Sequence, residues 1–348
     1  MTPKPILIVG LFNSEQKKHN YISAAEQLSA LLSSNQVPVI KTSFYKNKLA
    51  RLVDTVFSIL VQGSKFDIAI VPLYGTRPSF IWQEAATRLL KLLKKKIILI
   101  VHGGSIPQRM EINADPFLRS LNRASVAVCP SGYLQEYLKV HGVETVLIEN
   151  VLNLSAYTFC EKKSVAPRIM WMRAFEDTYN PEMAIRVAAL LKKTYPNFTM
   201  VMAGKDEGLL GKIKSMAAEY QLVDNIIFPG FITLQQKIEY AQTQDIYICT
   251  NRVDNAPVSL IEFMALGLPI VSVNTGGIPY IIKDGYNGLL VEPDDAAAMA
   301  EKIDMLIKNP LMATALSRNA YDYSRLYGNE NVLQKWLSVF DRLNFKSA

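Results

Sequence analysis

The stretch richest in chemistry runs from Asp254 through Glu262 and Gly267 to Gly276-Gly277. It reads as a strand end, a loop bearing an acid, and a helix that opens near Pro257, where the missing N–H of proline leaves nothing unpaired. Gly267 ends that helix and Pro269 stands just beyond it. The free N–H groups around Val258 and Ser259 would favour an anion such as a diphosphate. Glu262 lies eight positions after Asp254 in otherwise apolar sequence. Two roles fit it: an exposed helix carboxylate, or a carboxylate accepting two hydrogen bonds from a ribose diol. Spacing does not choose between them. Gly276-Gly277 is either an ordinary turn or a place where backbone must approach closely.

These residues need a scaffold, and the apolar pattern supplies one. Short β-branched runs alternate with longer amphipathic ones: Ile6–Val9, Val37–Ile40, Ile68–Val71, Ile97–Val101, Val126–Val128 and Val143–Ile148. After a polar stretch, Cys160 to Pro167, taken as a linker, the alternation restarts with Ile169–Met172, Phe198–Ala203, Ile226–Phe228, Ile246–Thr250, Ile270–Val273 and Leu289–Val291. The expectation is an α/β chain of two doubly wound, Rossmann-like parallel sheets. Such sheets bind ligands beyond the carboxyl ends of their strands, in a cleft between the two domains. The predicted strand ends carry His102, Arg173 and the Gly204-Lys205 pair. Helical runs at Asp295–Ile307, Leu311–Arg325 and Asn331–Leu343 follow, the last expected to pack back on the first domain.

Composition agrees with this and excludes other classes. The chain has 348 residues, 49% hydrophobic and 20% charged, which suits two globular domains and not a disordered or collagen-like chain. Its three cysteines, Cys129, Cys160 and Cys249, show neither zinc-ligand nor disulfide spacing, so a reducing cytoplasm is expected. No signal-like apolar stretch follows the first residues, and the charge-free window from Phe263 to Ile282 is broken by Gly and Pro, against a membrane span. Charge is uneven: residues 1–165 hold 20 Lys and Arg against 11 Asp and Glu, whereas residues 166–348 hold 18 against 20. The first half is expected to meet something anionic. Nucleic acid is not the expected partner, because no helix-turn-helix, zinc-finger or RNP pattern occurs. The loop after the first strand, Gly10-Leu-Phe-Asn-Ser, lacks the Gly-x-Gly-x-x-Gly of nicotinamide-dependent oxidoreductases.

Residues 168–295 resemble the retaining glycosyltransferases of family 4, in group 1 of the glycosyl transferases, which share the GT-B fold. The resemblance rests on Asp254 to Gly277, on Phe228-Pro-Gly-Phe231 and on Asp284-Gly-Tyr-Asn-Gly288. In the first half it extends only to layout, to His102-Gly103-Gly104 and to Glu149-Asn150. It implies three parts: an acceptor-side domain over residues 1–160, a nucleotide-sugar domain over 161–325, and a helix over 326–348 packing back on the first domain. It further implies that Glu262 holds the donor ribose and that Asp254, one methylene shorter than the family's glutamate, stands near the transferred sugar. His102 would line that sugar, and Arg173 would pair with the diphosphate, a task for which a guanidinium fork is suited. The family lysine five residues after the arginine is replaced by Thr178, and Lys205 is the candidate to stand in for it. Phe231 lies where base selection is written, and Asn13 is a weaker acceptor-side candidate.

The activity implied is retaining sugar transfer from a UDP- or GDP-sugar to a saccharide or lipid-linked saccharide in surface-glycan synthesis, with no cofactor. No Asp-x-Asp is present to hold a divalent metal. The alternative is a non-catalytic homologue that binds a nucleotide sugar or a protein. The run from Arg88 to Lys96 is basic and amphipathic, either a plain surface helix or a contact with the inner, anionic face of a membrane.

Overall fold

The computed structural model describes residues 4–12, 23–75 and 77–345, so Asn13 lies outside the described residues. The chain forms two units. The first takes residues up to Val151 together with those from Asn329 onward, and the second takes Leu152–Gly328.

In the first unit the strands are β1 (Ile6–Val9), β2 (Val39–Thr42), β3 (Ile68–Tyr74), β4 (Lys96–His102), β5 (Val126–Cys129) and β6 (Val146–Leu147). They form one parallel sheet in the order β2-β1-β3-β4-β5-β6. Its helices are α1 (Ala24–Ser34), α2 (Lys48–Gln62), α3 (Arg77–Leu92), α4 (Ile106–Ile112), α5 (Asp115–Leu121) and α6 (Gly132–Val140). Because successive strand residues face opposite sides, Leu7, Val9, Ala69 and Val71 enter one core while Ile6, Ile8, Ile68 and Ile70 enter another.

The second unit contains β7 (Arg168–Met172), β8 (Thr199–Ala203), β9 (Ile226–Gly230), β10 (Ile246–Cys249), β11 (Ile270–Val273) and β12 (Leu289–Val291). The parallel order is β12-β11-β10-β7-β8-β9, the doubly wound order that reverses between β7 and β10. Helices α7 (Pro181–Thr194), α8 (Leu210–Glu219), α9 (Leu234–Thr243), α10 (Val258–Ala265), α11 (Ala296–Lys308) and α12 (Pro310–Ser324) connect and flank these strands.

The last helix, α13 (Asn329–Arg342), belongs to the first unit. Its Val332, Trp336, Val339 and Phe340 are buried against Ile6, Ile8, Ile68 and Ile70, and Lys335 Nζ donates to Glu149 Oε1 at 2.6 Å.

Two expectations shift. The polar stretch from Cys160 to Pro167 is not a free linker, because it is fastened to the second unit. Cys160 N donates to Leu266 O, Ala166 N to Asp245 Oδ2, and Thr314 Oγ1 to Lys162 O. The division therefore falls at Leu152 rather than at residue 161, and at Asn329 rather than at 326. The basic run from Arg88 to Lys96 is not one free face either. α3 ends at Leu92, Arg88 pairs with Glu84, and the ammonium groups of Lys95 and Lys96 donate inward to the carbonyls of Phe66 and Leu343.

Candidate functional site

The reversal of strand order in the second unit places the carboxyl ends of β7 and β10 side by side, where doubly wound sheets take ligands. Arg173 follows β7, and Asn251 to Asn255 follow β10. The Arg173 guanidinium pairs with Asp254 Oδ2, and its flat face lies 4.6 Å from the centre of the Tyr179 ring. Burial opposes the guanidinium charge most strongly, but the Asp254 carboxylate, joined by Tyr247, Cys249 and Tyr179, together outweigh it and hold the group above its ordinary pKa. Asp254 also accepts from Asn251 Nδ2 and from Asn255 N, both at 2.8 Å. Arg173 Nε and Asn251 Oδ1 are buried without a protein partner among the described residues. A buried donor and acceptor left over at one strand edge fit a polar ligand.

The glycines at this edge are explained by the chain itself. A Cβ on Gly204 would come within 2.6 Å of the Arg173 carbonyl carbon, and one on Gly277 within 2.7 Å of the Asn255 carbonyl carbon. Gly276 has φ +53 and a Cβ there would overlap Asp254 O. Gly277 N donates to Asp254 O at 2.9 Å. These positions are thus kept small so that the loops after β8 and β11 can press on the loops carrying Arg173 and Asp254.

α10 rises from this edge. Pro257 stands at its N-cap and makes no side-chain cap bond, so among the described residues its first N–H groups, at Val258 and Ser259, lack the usual cap. Val258 is exposed; Ser259 is buried, and its Oγ accepts from Tyr247 OH at 2.9 Å. One turn on, Glu262 is the single charged group in a helix whose residues from Ser259 to Ala265 are all buried. It is not an exposed helix carboxylate. Two donors hold its Oε1 at 2.7 Å each, the Tyr157 hydroxyl and the Lys237 ammonium. Burial, and then the Glu262 charge, push the Tyr157 phenol well above its usual range, so it stays a donor. Lys237 stands on α9, whose start is fixed by a reciprocal cap between Thr233 and Gln236.

Neither Tyr157 nor Lys237 was legible in the sequence. A lone tyrosine and a lone helix lysine give no local signal of a partner many residues away. The same holds for Arg252, whose N–H donates to Thr178 O at 2.8 Å and whose side chain pairs with Asp177. Arg252 is thus the cation beside Thr178, whereas Lys205 is exposed and pairs with Glu207. Phe231 is exposed just past β9. In the Asp284 to Gly288 turn, Asn287 is buried and bonds Lys283 N and Ile281 O, which closes the loop before β12.

In the first unit His102 ends β4, with its ring stacked 5.6 Å from that of Tyr74 at the end of β3. Burial lowers its pKa to about 4, so it is neutral near pH 7. It lines a cavity of about 30 Å³ together with Pro130, Glu149, Asn150 and Trp336. The fold thereby joins the two segments of the first half that carry the resemblance. Among the described residues no three His, Cys, Asp or Glu side chains gather as a metal site.

The family model for glycosyl transferases group 1 matches residues 161–323, which covers all the second-unit positions just described except Tyr157. The second unit is a group 1 glycosyl transferase domain. Among curated relatives, the N,N'-diacetylbacillosaminyl-diphospho-undecaprenol alpha-1,3-N-acetylgalactosaminyltransferase of Campylobacter jejuni is 26% identical over 176 residues, 51% of this chain and 43% of that one. The chain spans about two-fifths of the length of the first curated relatives it matches. Among solved structures, sucrose-phosphate synthase of Thermosynechococcus elongatus superposes with a TM-score of 0.80 at 16% identity, over 98% of this chain and 99% of that one. Anabaena HepE, solved with UDP, gives 0.73 at 14% identity, over 97% of this chain and 100% of that one. Around the group 1 domain, the whole chain therefore has the two-sheet GT-B fold.

Proposed function

We propose that the chain is a retaining, metal-independent glycosyltransferase. It moves a sugar from a UDP- or GDP-linked donor to a saccharide or lipid-linked saccharide in surface-glycan synthesis, at the cytoplasmic face of a membrane. The observation that carries this reading is the edge where strand order reverses. Arg173 stands at one strand end, and the amino end of α10, with Glu262 one turn along, follows the neighbouring one. A diphosphate would take the guanidinium and the helix N–H groups, which stabilise the charge that develops on the leaving phosphate. Glu262, with Oε1 held by Tyr157 and Lys237, would offer Oε2 to the ribose. His102, held neutral, would line the sugar as a hydrogen-bonding group without charge.

The Campylobacter relative's name gives a diphospho-undecaprenol acceptor, and HepE was solved with UDP; both support the finer reading. One observation favours the non-catalytic alternative, namely that Asp254 is already engaged by Arg173, Asn251 and Asn255. The test is to incubate the protein with nucleotide sugars and saccharide or polyprenyl-diphosphate acceptors, with EDTA present, and to read the anomeric coupling of the product by NMR. Transfer with the donor's anomeric configuration kept is expected. Nucleotide binding without any turnover would move the assignment to the non-catalytic homologue.

A further inference from the structure

α2 carries an apolar face that no described part of its own unit covers. Its inward side is modest: Thr55 and Ile59 are buried, and Thr55 Oγ1 accepts from the indole of Trp82 on α3 at 2.9 Å. The outward side presents Leu49, Val53, Phe57, Leu60 and Val61, each 55–70% exposed. Steps of four, four and three align Leu49, Val53, Phe57 and Leu60 along one side of the helix. Phe44 and Tyr45, also exposed, lead into it. Single exposed apolar side chains are ordinary, but a contiguous row of this length marks an interaction surface.

Charge identifies what covers it. Between residues 41 and 65 the cations Lys41, Lys46, Lys48, Arg51 and Lys65 stand against one acid, Asp54. Lys41, Lys46, Lys48 and Lys65 are exposed. A second copy docked through the same face would set this positive rim against itself across a two-fold axis. An anionic lipid surface answers both the apolar row and the rim. A helix of this length rises about 22 Å, short of the roughly 30 Å hydrocarbon core. No described helix is long and apolar enough to cross a membrane. Lying in the interfacial plane is the geometry left to α2.

We propose that α2 seats the first unit on an anionic bilayer, with Leu49, Val53, Phe57 and Leu60 at the headgroup boundary and Lys46, Lys48 and Lys65 against lipid phosphates. This places the contact on α2 and not on the run from Arg88 to Lys96. For its purpose the inference rests on the reading of a lipid-linked acceptor; its geometry does not.

The experiment is flotation of the full chain with vesicles of phosphatidylcholine, with or without phosphatidylglycerol. Three variants accompany the wild type: the double variant Val53→Ser/Phe57→Ser, the double variant Lys46→Glu/Lys48→Glu, and Val223→Ser as a control on an exposed residue of the second unit. Circular dichroism and light scattering are run on each. Wild type and control are expected to float with the anionic vesicles, and each double variant to bind roughly tenfold more weakly or worse. Three outcomes would overturn the proposal: wild type that ignores anionic vesicles, folded double variants that bind as well as wild type, or a wild-type dimer that Val53→Ser/Phe57→Ser dissolves. Nucleotide binding measured on the same samples separates this proposal from the assignment of function, since lipid binding can fail while the nucleotide site survives, and the reverse.

Discussion

Replacing Gly277 by alanine is expected to harm the second unit far more than one methyl group suggests. Gly277 has φ −86, which any residue can adopt, so the effect is purely one of space. The new Cβ would sit 2.7 Å from the Asn255 carbonyl carbon and closer still to its oxygen, backbone atoms that cannot rotate away. The loops at Gly277 and Asn255 must part, and the 2.9 Å bond from Gly277 N to Asp254 O is lost with them. Overpacking costs about 1–3 kcal/mol and a backbone hydrogen bond about 0.5–1.5 kcal/mol, so the loss is roughly 2–4 kcal/mol. In a unit of this size each kcal/mol shifts Tm by about 2–4 °C, which gives a fall of roughly 5–15 °C. Gly211→Ala is the control, since its Cβ meets nothing within 4 Å and it lies in α8. Alanine there gains up to about 1 kcal/mol of helix propensity. The assay is calorimetry on the full chain, paired with nucleotide titration. Gly277→Ala melting alongside wild type, with unchanged nucleotide affinity, would refute the argument that the glycine pair exists for this close approach.

Other outcomes follow from the same contacts. Among the described residues, Lys237→Met leaves the buried Glu262 side chain with Tyr157 as its remaining donor, and should lower stability in urea by about 2 kcal/mol or more; a variant as stable as wild type would mean that the pair does not form. Trp336→Ala on α13 should cost the first unit about 3–5 kcal/mol, read as a lower first transition in calorimetry, because its ring is buried against the sheet. His102 should make the first unit sensitive to acid. Its pKa falls from 6.5 to about 4 on folding, so the unfolded state binds the proton first. Stability from this group is complete above pH 6.5 and is lost as pH falls toward 4; His102→Gln should flatten that slope in acid titrations of unfolding.

Much of the framework was legible because parallel sheets announce themselves. Ile6–Val9, Ile270–Val273 and Leu289–Val291 are strands over the very residues where β-branched runs stand in the sequence. Where ends moved, pairing decided: Val37 is apolar and buried, yet β2 begins at Val39 because the register runs Ile6 to Val39. The segment from Val143 to Ile148 pairs only at Val146 and Leu147. Arg173, Asp254 and Glu262 were visible as chemistry-bearing types at strand and helix ends. Their company was not, since Tyr157 reaches Glu262 from a distant stretch just ahead of the one that reads as linker, and Lys237 is one of many helix lysines. The glycines were legible as points of close approach, but a sequence cannot say whether ligand or chain does the approaching; here the chain does. The apolar row on α2 was hidden for a related reason, because its periodicity is that of any half-buried helix, and only the fold shows that the row faces outward.

The central claim is that Glu262 and the strand edge beside it hold a nucleotide diphosphate. Its most direct test is isothermal titration of UDP and GDP into the wild type and into Glu262→Gln, which keeps the shape and removes the charge. A hydrogen bond to a charged group is worth about 1.5–3 kcal/mol, so one nucleotide should bind the wild type and bind Glu262→Gln at least about tenfold more weakly. Equal affinity in the two proteins, with both folded, would contradict the site assignment.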